Sequence, residues 1–258
     1  MNLTLQQKPT YSILADIYDV VMSDVDYETW ADYIDEIILM HQPTARSILE
    51  LACGTGTIAL SLEELDCYKI TATDGSADMI RIAQKKAKEA NSQIDFQTMN
   101  FLDLSLENSF DVVYMVFDSI NYLHTKEEIL QLHREVKKVL NPGGIFVYDF
   151  TTPRNSRQAI RLLNNERKTI DGHIRYRRGS SYNAKERVHT NLFHIEKLDS
   201  ESGEVLEKFE EQHHQKIYRF EEIRNIVKQT DFSILNAYDG FNLQPAHKNS
   251  LRITMVLQ

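Results

Sequence analysis

The sequence is short of the residues that cross-link chains or anchor them to membranes. Its two cysteines, Cys53 and Cys67, cannot build a disulfide framework, and no Cys/His cluster has the spacing of a metal site, so no metal is expected. No apolar run approaches the length of a membrane span. Residues 1–10 lack the apolar segment of an export signal, which points to the cytoplasm. There are no internal repeats and no low-complexity tracts. A net charge of −9 argues against a general nucleic-acid binder. What is present, 42% apolar residues in a chain of 258, can bury one large core, or a core with a small appendage.

One stretch stands out. Ile48-Leu49-Glu50-Leu51-Ala52-Cys53-Gly54-Thr55-Gly56-Thr57 reads as a buried strand ending in an acid and running into a glycine loop. A helical pattern (Ile58, Leu60, Leu62, Leu65) follows at once. Such a junction lets a ligand approach the backbone, with unpaired helix N–H groups beside it. Gly54, Gly56 and Ala59 also satisfy a loose dinucleotide fingerprint, and Asp74 stands twenty residues past Gly54, where a ribose-binding carboxylate belongs. Glu50 discriminates. A carboxylate before the loop repels a pyrophosphate but suits a cofactor with an ammonium group, so electrostatics favours S-adenosylmethionine over NAD.

The pattern continues in register. Asp74 to Met79 leads into a helix over Ile80 to Ala90, then a strand over Ile94 to Met99 and the segment Asn100 to Asp103. A second strand (Phe110 to Val116) ends in a turn at Phe117-Asp118-Ser119. A helix follows from about Thr125 to Leu140, and Asn141-Pro142-Gly143-Gly144 reads as a turn into the strand Ile145 to Phe150. Taken together, these residues resemble a class I S-adenosylmethionine-dependent methyltransferase of the bacterial small-molecule type over about residues 46–150. The resemblance implies a Rossmann-like α/β fold: a doubly wound, mostly parallel seven-stranded sheet with an antiparallel β cap inserted after the fifth strand. Residues 1–45 would form N-terminal lid helices, 46–150 the cofactor-binding core, 151–216 the substrate cap, and 217–258 the helix and strands that complete the core. Within the cap, a basic helix (Arg157 to Asn164) precedes three alternating runs, Gly172 to Tyr182, Arg187 to Leu198 and Val205 to Tyr218.

The resemblance also assigns roles. Glu50 would meet the methionine ammonium, or else cap the next helix. Ala52, Gly54, Gly56 and Gly75 would let the backbone approach the cofactor. Asp74 would accept both ribose hydroxyls, since a carboxylate offers two acceptor oxygens to a vicinal diol. Met79 would pack on adenine or serve as helix core, and Phe101 is its plausible neighbour. Asn100 falls where related enzymes carry an acid for the adenine amino group. Phe117, Asp118 and Tyr122 follow the fourth strand and should reach the sulfonium end. Tyr11 and Tyr18 resemble lid tyrosines, although both also fit an apolar stripe.

Methyl transfer needs alignment more than acid–base chemistry, but an amine must be neutral when it attacks. His214, Asp149 and Asp118 are the candidate proton acceptors. His213 and His214 are adjacent on an alternating strand, so one of them points away from the site. The expected activity is methyl transfer from S-adenosylmethionine, giving S-adenosylhomocysteine, to nitrogen or oxygen of a small molecule. Between Arg154 and Arg187 there are ten Lys/Arg residues against three acids. This segment is either a solvated edge or a rim for an anionic substrate, and it keeps tRNA methylation open as an alternative. A non-catalytic protein that binds the cofactor or its product is a further alternative. Nothing in the sequence sets the oligomeric state.

Overall fold

The structure, a computed structural model, describes residues 4–258; of the expected N-terminal lid, residues 1–3 lie outside the described residues. In chain order the elements begin with β1 (Leu5–Gln7), a 3-10 turn (Leu14–Ile17), α1 (Tyr18–Val21) and α2 (Tyr27–His41). Next come β2 (Ser47–Leu51), α3 (Thr57–Glu63), β3 (Lys69–Asp74), α4 (Ala77–Ala90), β4 (Asp95–Thr98) and β5 (Phe110–Met115). A 3-10 turn (Ser119–Tyr122) leads to α5 (Lys126–Val139), β6 (Leu140–Thr151) and α6 (Pro153–Leu163). Then follow β7 (Glu166–Ile170), β8 (Ile174–Asn183), β9 (Val188–Leu198) and β10 (Val205–Lys216). The chain ends with α7 (Phe220–Val227), β11 (Ile234–Asp239) and β12 (Arg252–Leu257).

Seven strands form the main sheet in the order β11-β12-β6-β5-β2-β3-β4, with β12 antiparallel to its neighbours β11 and β6, and with β6, β5, β2, β3 and β4 paired in parallel. The central strands are covered on both faces, which is why Ile48–Leu51 and Val112–Met115 are continuous buried runs rather than alternating ones. One face packs α2, α3 and α4 through Ile34, Ile37, Ile38, Leu62, Ile80 and Ala83. The other packs α5 and α7 through Ile129, Leu132, Val136, Ile223 and Val227. The strand order reverses between β2 and β5, and in open α/β sheets ligands bind at the carboxyl ends of the strands flanking such a reversal. Glu50 lies there.

The chain between β6 and α7 supplies four antiparallel strands, β7 to β10, and β1 joins them in parallel beside β10, giving a second sheet of order β1-β10-β9-β8-β7. Its core, Ile170, Tyr176, Phe193, Ile195 and Phe209, encloses Leu14 and Ile17 of the N-terminal segment.

Three local expectations change. The first N-terminal helix is a 3-10 turn running into a single α-turn. Asn141–Gly144 is a bulge at the start of β6 rather than a separate turn: Phe110 pairs with Leu140 and Val112 with Ile145, and Gly143 takes φ +81°. A bulge accommodates Pro142, which has no N–H to give the ladder. Two strands, β1 and β7, carry no readable alternation because almost all their residues are exposed. No helix among the described residues is long and apolar enough to cross a membrane.

Candidate functional site

Two cavities meet at the carboxyl end of the main sheet. The first, about 260 Å³, is walled by the β2–α3 loop, the end of β3, the residues after β5, and the N-terminal segment. Glu50, Ala52, Gly54, Asp74, Gly75, Met79, Phe101, Phe117, Tyr11, Tyr18 and Tyr122 all line it. The structure thus brings together eleven of the thirteen residues expected at the cofactor.

The loop is held in an unusual backbone state. Ala52 has φ +55°, and Gly54 and Gly56 also lie in the left-handed region. The Cys53 N–H donates to the Thr73 carbonyl and the Gly56 N–H to the Cys53 carbonyl. Asp74 braces the loop by accepting from Gly54 N (2.9 Å) and Ser76 N (2.8 Å), one bond to each oxygen, which leaves lone pairs for a diol. Burial pushes its carboxyl up, opposed by those two N–H bonds. Glu50 is almost fully buried, and its Oε2 has no hydrogen-bond partner among the described residues. Burial raises its carboxyl to about 8, with the Tyr114 hydroxyl nearby tempering the rise. An orphaned, buried carboxylate oxygen aimed into a cavity calls for a cation. A cation for Glu50 and a diol for Asp74 are what the expected cofactor carries, so these residues fit it.

Two expected residues lie elsewhere. Gly56 does not line the cavity; a Cβ there would meet Phe96 at 2.6 Å, so the glycine is required for packing. Asn100 is exposed, and its side-chain oxygen accepts from Leu102 N at 2.9 Å, which ties it to its own turn.

The second cavity, about 770 Å³, opens between the main sheet, α6 and the cap. Tyr11, Tyr18, Phe117 and Tyr122 border both cavities, so any group passing from one to the other crosses between these rings. Phe117 and Asp118 both have positive φ, and Phe117 stacks on Trp30 at 4.4 Å.

The expected proton acceptors fare differently. Asp118 lines the second cavity but is held by Arg252 and Gln215, each at 2.5 Å. Asp149 lies beneath the floor, fully buried, ion-paired with Arg252 and accepting from Asp118 N. Burial raises its carboxyl to about 6 against the pull of the guanidinium. Neither acid is a free base. His214 is exposed, bonded to Thr190, and touches neither cavity. The alternation of β10 turns His213 inward instead, where it is 3% exposed and lines the second cavity.

The sequence reading missed Glu211, Arg252 and Arg178. Glu211 is buried on β10 and accepts from the backbone N–H groups of Tyr11 (2.9 Å), Ile13 and Leu14 (2.9 Å), fixing the lid to the cap. On the other side Asp16 pairs with Arg81 (2.5 Å), and Asp19 with Lys86 (2.9 Å) and Thr55 (2.5 Å). Only the run of acids and histidines Glu210 to His214 signalled that β10 carried such a role.

Residues 48–144 match the family described as Methyltransferase domain. "Putative methyltransferase YqeM" of Bacillus subtilis (strain 168) is 28% identical over 87% of this chain and 87% of its own length. The dTDP-3-amino-3,4,6-trideoxy-alpha-D-glucopyranose N,N-dimethyltransferase of Streptomyces venezuelae is 30% identical over 52% of this chain, which spans 56% of that relative. Among solved structures, an S-adenosylmethionine-dependent methyltransferase from Clostridium acetobutylicum ATCC 824 has a TM-score of 0.77 at 24% identity, covering 96% of this chain and 98% of that one, a likeness of fold. Family match, sheet order and loop geometry converge: residues 48–144 form a methyltransferase domain, in a chain with the fold of S-adenosylmethionine-dependent methyltransferases.

Proposed function

We propose that this enzyme methylates an amine nitrogen of a small polar acceptor held in the second cavity. The observation that carries this reading is the character of that cavity. Asp24, Asp118 and Glu166 face it against Arg178 and Arg252, and Trp30, Phe117, Phe193 and Phe241 supply aromatic surface. Its two arginines are already engaged, Arg252 by Asp118 and Asp149 and Arg178 by Glu166 at 3.6 Å. Once those pairs cancel, Asp24 is the lining acid left over, and with the aromatic faces it favours a cation over an anion. The amino-sugar N-methylation named for the Streptomyces venezuelae relative is in line with this. The two free cysteines suit a reducing cytoplasm.

The cofactor supplies an activated methyl on a sulfonium, so the chain need only bind, orient and exclude water. Glu50 neutralises the ammonium and Asp74 holds the ribose diol. Tyr11, Tyr18, Phe117 and Tyr122 frame the passage to the acceptor. The test is a set of paired acceptors, amino sugars and the matching sugars with hydroxyl in place of amine, assayed for S-adenosylhomocysteine release and methylated product by mass spectrometry. Methylation of the amines alone is expected; methylation of the alcohols alone would overturn the nitrogen assignment.

A further inference from the structure

The cap and lid carry a chain of buried hydrogen-bonding groups that ends at the junction of the two cavities. Glu211 Oε2 lies 3.6 Å from His213 Nε2, His213 Nδ1 lies 3.0 Å from the Tyr122 hydroxyl, and that hydroxyl lies 2.7 Å from the Tyr11 hydroxyl. Both tyrosines border both cavities. His213 Nε2 is buried without a hydrogen-bond partner, and Glu211 is fully buried yet bound to three backbone N–H groups.

We propose that Glu211, His213 and Tyr122 form a proton relay that removes the acceptor's proton at this junction; the inference rests on the amine reading of the second cavity. The chemistry orders the chain. The Glu211 carboxyl, held by three backbone N–H donors, faces Nε2 at 3.6 Å and favours the imidazole proton on that nitrogen, leaving Nδ1 as the lone-pair atom. Tyr122 then donates its hydroxyl to Nδ1 and presents its own lone pairs to the junction. As the acceptor nitrogen bonds to the methyl carbon, the carbon–sulfur pair stays on sulfur as a thioether. The nitrogen's proton passes to Tyr122 Oη while the Tyr122 proton passes to His213 Nδ1. The positive charge lost by sulfur ends on an imidazolium beside Glu211. Burial holds the Tyr122 phenol up, so it conducts the proton as a neutral hydroxyl rather than storing charge. Tyr122 touches the acceptor; His213 and Glu211 are positioning residues acting through it. Tyr11 of the lid packs on the His213 ring at 4.6 Å, and Tyr18, Asp24, Asp118, Glu166, Arg178, His189 and Arg252 are the other charged or titratable groups lining the same cavity.

The test needs no acceptor. Histidine-selective nitrogen NMR on the whole enzyme reads the His213 tautomer and titration. Calorimetry from pH 5.5 to 8.5 compares sinefungin, whose amine replaces the methyl-bearing sulfonium, with S-adenosylhomocysteine, which lacks that amine. Neutral His213 is expected as the Nε2–H form. The sinefungin-to-S-adenosylhomocysteine affinity ratio should fall roughly tenfold from pH 8.5 to 5.5, and this dependence should vanish in His213→Gln. Taking the ratio cancels titrations of Glu50 and Asp74. A neutral Nδ1–H tautomer, or the same ratio profile in wild type and His213→Gln, would overturn the relay; a purely packing role would lower the melting temperature and leave the ratio unchanged. If His213→Gln does not fold, Tyr122→Phe carries the comparison. Loss of binding of both ligands by the wild type would refute the cofactor assignment instead, and the tautomer still decides the relay.

Discussion

Glu50 couples the first cavity to pH. Burial raises its carboxyl to about 8 from an ordinary 4.5, so the folded, ligand-free protein holds this proton more tightly than the unfolded chain does. The stability this contributes is full below 4.5 and is lost as pH rises through 8. Glu50→Gln should flatten that decline in urea melts between pH 5 and 8.5 and weaken S-adenosylmethionine binding by about tenfold or more, the loss expected for a charge-assisted hydrogen bond. Below pH 8, binding to the wild type should release protons, read by calorimetry in buffers of different ionisation enthalpy. The two loop glycines separate in the same way. A Cβ on Gly56 collides with the Phe96 ring, so Gly56→Ala should cost about 1–3 kcal/mol of stability. Gly54 has open space around it, so Gly54→Ala should cost only the left-handed backbone strain, about 1–2 kcal/mol, while its methyl intrudes on the cofactor. Paired melts and titrations of the two variants check this. At this scale the sequence was legible where the cavity lining is close in the chain: Glu50, Gly54 and Asp74 sit on one strand–helix–strand unit. It was not legible at Gly56 and Asn100, whose neighbours Phe96 and Leu102 settle their roles by packing and by a local turn.

Among the elements, β10 and β12 do more than finish their sheets. Glu211 satisfies three backbone N–H groups of the lid, so Glu211→Ala leaves buried donors unpaired. Hydrogen exchange at residues 8–14 should accelerate by roughly a hundredfold or more, the equivalent of about 3 kcal/mol, while β2 to β6 stay protected. Equal acceleration in the central sheet would show that Glu211 supports the whole fold instead. Arg252 of β12 joins Asp149 of β6 to Asp118 after β5. Arg252→Met should destabilise the protein by about 3–5 kcal/mol because it strands two carboxylates. The loss should deepen as pH rises and Asp149, held up to about 6 by burial, ionises, which a series of melts between pH 5 and 8 reads directly. Both residues were hidden in the sequence because their partners lie 134 and about 200 positions away. The parallel strands and their helices were readable, since each follows from local periodicity; β1 and β7 were not, since exposed strands lack alternation.

Across the whole molecule, three of the ten basic residues in the segment 154–187 are paired with acids. Arg175 pairs with Glu196, Arg178 with Glu166 and Arg187 with Glu222, two of these acids coming from outside the segment. With a net charge of −9 besides, the protein should show no salt-dependent retention on tRNA even at low ionic strength, measured by filter binding against a basic control. Retention that falls steeply with salt would revive the nucleic-acid reading. By itself the sequence determined the sheet and the loop and brought Glu50 and Asp74 to one cavity, because each depends on residues near one another in the chain. Tertiary structure alone decided which histidine faces the site, which acids are tied up by Arg252, and how the lid is held to the cap. Those are matters of strand parity and of contacts between distant segments, and local pattern does not fix them until the sheets have formed.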